Sequence, residues 1–257
     1  MISFFYKNLI ILFVLFVFSE DLFSKGIPFK SGEYTEYKIY FSSICVGNTT
    51  LEVNDVIAIN GRKSYYIKGT GKTTPFFDWF FKVRDVYETY IDQQNILPIE
   101  FIRNVNEGGY LINQHYLFSH LENIVTTRDS TYYISDNIQD MLSAFFYART
   151  LSQEVLKNSP DNIFEIPVFV DEEIYNIKVK YLGNELIETF WGLVDCMVFQ
   201  PHMQQGRVFE SEEEMKIWVT DDENRILVKA ETVIWAGIIR AELNNYNNLR
   251  RPLEFLK

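Results

Sequence analysis

Residues 215–243, MKIWVTDDENRILVKAETVIWAGIIRAEL, decide how this chain is read. Two runs of β-favouring side chains, Met215–Thr220 and Arg225–Val233, flank a polar tip, Asp221-Asp222-Glu223-Asn224. A third run, Gly237–Leu243, follows a break at Ala236-Gly237. Asp and Asn bond their own backbone and tolerate turn geometry, so a charged tip between such runs predicts a hairpin. Side chains alternate along a strand, which puts Lys216, Trp218 and Thr220 on one face and Met215, Ile217 and Val219 on the other. Both sets contain apolar groups. The ribbon is therefore expected to be covered on both sides, as the closing meander of a large antiparallel sheet.

The same alternation runs through the rest of the chain. Strands are expected at Tyr34–Phe41, from Thr49 towards Ile59 after a break at Gly47, and at Lys63–Thr70, returned by the Asn60-Gly61 turn. Others follow at Lys82–Tyr90, Ile99–Val105 and Tyr110–Phe118, with short segments around Asn123–Thr127 and Thr131–Ile134. Later ones fall at Ile163–Val170, Tyr175–Leu182, Glu185–Trp191 after a Gly183-Asn184 turn, and Val194–Gln200. Among them Ile138–Leu151 predicts a helix, with Asp136 or Asn137 as its N-cap and Ile138, Leu142 and Phe145 on an apolar stripe; Ser152–Asn162 reads as a loop. The expected fold is mainly β: a large curved antiparallel sheet, half-barrel or barrel-like, with one helix packed on it or plugging it. With 47% hydrophobic and 16% aromatic residues, 257 residues can build a sizeable core in one domain, placed at 32–247 with a C-terminal tail at 248–257.

Ahead of that domain, Leu9–Phe18 is an unbroken apolar run after Lys7 and before Ser19-Glu20-Asp21. A positive start, a short apolar core and a polar exit predict a signal peptide over residues 1–24, then a linker at 25–31, and hence export. The run is shorter than the roughly 20 residues that span a bilayer, so no transmembrane helix is expected after its removal; counting the apolar residues back to Ile2 lengthens it and leaves an uncleaved anchor as the alternative. Cys45 and Cys196 each sit among apolar neighbours and read as free thiols rather than a bridge. A net charge of -11 repels phosphate backbones and argues against nucleic acid as a partner. It also repels anionic lipid, so any lipid contact must be apolar or local.

No stretch carries a catalytic motif. Gly69-Thr70-Gly71-Lys72-Thr73-Thr74 resembles the end of a phosphate loop but is followed by Pro75 and aromatics instead of a helix. His115, His120 and His202 lack metal-ligand spacing, so no metal and no cofactor are assigned. Asp85, Arg103, Glu107, Asp140 and Arg149 form a candidate polar network, with Arg103 and Glu107 placed to pair; buried pairs of this kind orient more often than they catalyse. Ser143 lacks the strand–elbow–helix setting of a nucleophile. The most unusual segment is the cluster Phe76, Phe77, Trp79, Phe80 and Phe81. It is either a loop folded over the sheet or a strand buried on both faces, or an apolar lip that meets a lipid-like ligand, a membrane or a partner. Together with Trp218 and Trp235 it makes up the candidate ligand or partner patch.

Gly32-Glu33 with Tyr37 ahead of Gly47, Val83-Arg84-Asp85 with Tyr87, and Asp92 with Leu97-Pro98 occur in order. Arg103 with Glu107-Gly108-Gly109, the stretch Gln139–Arg149, and Trp218–Asp222 with Arg225 follow. This series resembles the domain-of-unknown-function family 3108 of exported Gram-negative proteins, from about residue 30 to 246, departing from it at Leu227 where the family has Pro. The resemblance implies one β-rich domain in the periplasm or cell envelope, and it supplies no reaction. The expected function is that of a non-catalytic envelope protein holding a hydrophobic or lipid-like ligand in the concave face, in a cavity of roughly 300–1,000 Å³ with the helix as lid or plug. One alternative is an envelope scaffold that binds a protein partner through the aromatic patch; the second is an uncharacterised hydrolase.

Overall fold

Alternating side chains with short polar turns generate one continuous meander in the computed structural model, which describes residues 26–59, 61–202, 215–234 and 237–256. The leader at Leu9–Phe18, Asn60, the acidic run Ser211–Glu214, Trp235 and Ala236 lie outside the described residues. Strands β1 (Tyr34–Phe41), β2 (Ile44–Ile59), β3 (Arg62–Thr73), β4 (Arg84–Asp92), β5 (Pro98–Glu107), β6 (Tyr110–Ser119), β7 (Ile124–Thr126) and β8 (Thr131–Tyr133) each pair with the one before. A second series starts at β9 (Ile163–Val170), and β10 (Glu173–Thr189), β11 (Gly192–His202), β12 (Met215–Thr220), β13 (Leu227–Ile234) and β14 (Gly237–Asn247) likewise each pair with the one before. The last strand then pairs antiparallel with the first, so the two series join into a single 14-stranded open sheet edged by β8 and β9.

Between the two series the chain forms α1 (Met141–Thr150) and a short second helix, α2 (Gln153–Asn158). The helix α1 lies in the concavity and is apolar nearly all round, as befits a helix buried between two surfaces. Leu142 and Phe146 pack with Val53, Ile67, Ile91 and Phe101 of the first half-sheet. Ala144 packs with Phe164, Val179, Met197 and Val219 of the second. The free edges approach each other through rings rather than ladder bonds: Phe169 of β9 meets Tyr116 at 5.1 Å and Tyr132 at 5.5 Å between centroids. The backbone of Gln139 covers the outer side of β9, donating to Pro167 O at 2.8 Å and accepting from Phe169 N at 2.8 Å. An edge that would otherwise recruit a foreign strand is closed by the chain's own polypeptide.

The 215–243 ribbon is covered on both faces, as its alternation predicts. Val219 faces the concavity, while Trp218 packs outside with Val194, Cys196, Val198 and Val228. Residues 248–256 cross that outer face and bury Leu249 and Leu253 against Ile226. Both cysteines are free thiols, and burial pushes Cys196 up to about 12.

Four local expectations are corrected. Gly47 and Gly183 do not end strands; each lies inside a longer one beside a register shift, where an extra residue is absorbed as a bulge. The helix begins at Met141 rather than Ile138, because Ile138 precedes and Gln139 joins the backbone pairing to β9 and Asp140 takes the N-cap. The stretch 152–162 is not all loop: Ser152 caps α2, and a turn of 3-10 helix follows at Pro160–Asn162.

Gly47 faces the backbone of β3 so closely that a Cβ there would stand 2.6 Å from Lys72 O. Gly47→Ala is expected to destabilise the fold by about 1–3 kcal/mol, read as a lowered urea midpoint with an unchanged m-value.

Candidate functional site

The C-terminal turn of α1 carries a buried guanidinium. Arg149 is 3% exposed and its partner Glu33 is 4% exposed; Nη1 donates to Glu33 Oε1 at 2.6 Å. Nε and Nη2 donate to the carbonyl of Asn224 at 3.1 and 2.9 Å, and the rings of Phe29, Phe145 and Phe146 lie within 6 Å of the guanidinium carbon. Arg225 reciprocates, donating through Nη1 to the carbonyls of Arg149 (2.7 Å) and Leu151. These are carbonyls that the end of a helix leaves without intrahelical partners. Burial pushes the Arg225 pKa down, while Asp221 and Asp222 favour its charge.

At the other end of α1, Asp140 closes a capping box. Its carboxylate accepts from Leu142 N and Ser143 N, each at 2.8 Å, and from Thr89 Oγ1 at 2.6 Å, while Ser143 Oγ accepts from Asp140 N. Complete burial nonetheless pushes its pKa up to about 6, against the pull of these bonds.

Next to the arginine clasp, between α1 and strands β9–β12, lies a cavity of about 160 Å³. Ala144 and Ala148, one helical turn apart, supply the helix side; Phe164, Val179, Met197 and Phe199 form much of the opposing wall. Among the described residues its only charged lining residues are Arg149 and Arg225, both already bonded to backbone carbonyls. Its volume falls below the roughly 300–1,000 Å³ expected from the sequence because α1 fills most of the concavity. The wall is aliphatic and Phe-lined, without the Tyr and Trp that were expected there.

The five residues read as one polar network separate into three places. Asp140 caps α1 and Arg149 sits at its far end, while Asp85, Arg103 and Glu107 meet on β4 and β5. Arg103 does not pair with Glu107 as its prime partner. It bonds Asp171 at 3.0 Å and Gln114 at 3.3 Å, with its guanidinium 5.7 Å from the Tyr87 ring centroid. Glu107 faces Asp85, and burial together with that neighbour raises its pKa.

The aromatic patch also divides. Phe76, Trp79, Phe80 and Phe81 stand out from the loop between β3 and β4, with Phe77 half-buried beneath them. Trp218 is not among them: strand parity turns it to the outer face of β12, where Nε1 donates to Glu185 at 2.8 Å and Lys229 lies 4.4 Å above its ring. Trp235 is outside the described residues. Glu33, Asn224 and Arg225 were missed as site residues, although Glu33 and Arg225 stand in the very stretches that carry the family resemblance. The cavity wall was missed too; the small pair Ala144 and Ala148 was its one sequence signal.

Replacing Arg149 with Met strands Glu33 in a dry environment, and unfolding should show a loss of about 3–5 kcal/mol; R149M/E33Q should recover part of it. Asp140 binds its proton more tightly folded than unfolded, so its contribution is full below the unfolded value of 3.8 and is lost as pH rises through about 6. The stability of the wild type relative to Asp140→Asn, which keeps a capping side chain, should therefore increase as denaturation is measured from pH 6.5 down to pH 4.

Comparison with solved structures places this arrangement among curled β-sheets. A β-barrel-like protein of the domain of unknown function DUF1849 from Brucella abortus superposes with a TM-score of 0.56 at 9% identity, over 85% of this chain and 98% of that one. A DUF1089 family protein from Pseudomonas aeruginosa gives a TM-score of 0.40 at 12% identity, over 73% of this chain and 90% of that one. No curated protein matches. A family profile matches residues 36–244, a span that holds α1, Arg149 and Arg225 and nearly the whole sheet, and the chain belongs to that family, described as Protein of unknown function (DUF3108).

Proposed function

We propose that this is an exported envelope protein that works by binding, not catalysis, and holds an apolar group between α1 and the second half-sheet. The observation that carries the proposal is the cavity wall. Among the described residues, apart from two guanidiniums held by backbone carbonyls, it offers only apolar surface. A site of that kind selects its ligand by shape and by exclusion of water, and it presents no free acid, base or nucleophile to a reacting bond. Export rests on the leader-like sequence at Leu9–Phe18.

Volume narrows the ligand. A dry cavity of about 150 Å³ accommodates a molecule the size of benzene, so 160 Å³ suits one ring or a short stretch of acyl chain rather than a whole lipid. Ile177, Pro201 and Ile217 on its border are only half-buried, which leaves a route by which a longer chain extends beyond the wall.

Native mass spectrometry of the protein isolated from its own cells should show a retained apolar adduct. Ala148→Leu, which fills the cavity from the helix side, should release that adduct and weaken uptake of a naphthylamine probe at least tenfold with an unchanged melting temperature. Probe binding equal to wild type in the filled variant would refute the assignment.

A further inference from the structure

The loop joining β3 to β4 gathers five large rings within six residues. Across residues 76–81 its rings are turned outwards: Phe76 is 70% exposed, Trp79 89%, Phe80 68% and Phe81 54%. Leaving this much ring surface in water is unfavourable, and rings packed on one another at Phe76–Phe77 (5.3 Å) and Trp79–Phe80 (6.0 Å) present it as one raised patch. The loop is braced. Phe81 lies over Gly108, where a Cβ would come within 2.4 Å of the ring, and Gly108 N donates to Lys82 O at 2.8 Å. Exposed Tyr110 and Leu111 extend the patch from the adjoining β5–β6 turn.

Three features fit a lipid surface. First, the loop satisfies much of its own backbone: Thr74 N donates to Val46 O, Asp78 N to Thr74 O, and both Phe80 N and Phe81 N to Phe77 O, at 2.9–3.0 Å. Such a loop enters a region poor in water without stranding those donors. Second, its one acid is turned inwards. Asp78 is gripped by both terminal nitrogens of Arg84 and accepts from Thr73 Oγ1 at 2.6 Å. Third, exposed Lys72 and Lys82 flank the rings in a chain whose net charge is -11, giving the local positive charge that an acidic protein needs to approach anionic headgroups. A bilayer needs no complementary surface, and Trp and Phe are favoured at its interface.

We infer that residues 76–81 are a membrane-docking loop, which seats its exposed rings among the headgroups of an anionic bilayer with Lys72 and Lys82 against the phosphates. Among the described residues no helix is long and apolar enough to cross a membrane.

The test uses the full chain and vesicles of phosphatidylethanolamine and phosphatidylglycerol that carry brominated acyl chains, which quench nearby indoles. Trp79's own emission is the difference between wild type and Trp79→Phe, so lipid contact elsewhere in the chain does not enter it. That difference should be quenched by more than half. It should require at least tenfold more lipid in the triple variant F76S/F80S/F81S, and several-fold more in K72E/K82E or on phosphatidylcholine vesicles. A Trp79 difference that the brominated vesicles leave unquenched would overturn the inference, as would indifference of that signal to the serine substitutions. Equal affinity for neutral vesicles would overturn the assignment to an anionic surface.

Discussion

Everything in this molecule turns on the buried guanidinium of Arg149. Taking such a charge out of water costs several kcal/mol unless it is paired and its donors are used. Here Glu33, the carbonyl of Asn224 and three aromatic rings do both. Apart from Phe145 and Phe146 of α1 itself, these partners come from the segment before β1 and from the turn between β12 and β13, which are far apart in sequence. Arg225 completes the exchange by satisfying the carbonyls at the end of α1. The helix is thereby fixed in rotation and depth within the sheet, and its depth determines how much of the concavity stays open.

The hairpin at 215–243 could be read from sequence because a two-residue alternation survives any tertiary context. The same alternation located the other strands and the single sheet. Glycines were misleading because Gly47 and Gly183 look like breaks, whereas in long paired strands they absorb a bulge or admit a neighbouring backbone. The helix start was obscured by Ile138, which prolongs the apolar pattern although it precedes the cap; the Asp140–Ser143 spacing was the better signal. At six residues, α2 is too short to display a period.

The candidate site was harder to read than the fold. Periodicity gives the face on which a residue lies, not the residue it meets, so five charged positions that looked like one network occupy three places. Arg149 was singled out, but its partners Glu33 and Asn224 come from distant segments. The cavity exists only because two alanines on α1 oppose β9–β12, a relation between segments rather than a property of either. The aromatic loop was conspicuous from the outset, and its backbone bonding and exposure favour the outward reading over the buried one.

The pairing of β14 with β1 has a consequence for how the chain matures. The seam lies in the middle of the sheet and is stitched by contacts such as Tyr34↔Asn247. Until the last strand emerges, β1 and β13 each expose a raw edge, and neither half can settle against the other. The architecture therefore cannot lock until β14 has been made, and a chain cut short ahead of Gly237 loses its keystone rather than an appendage.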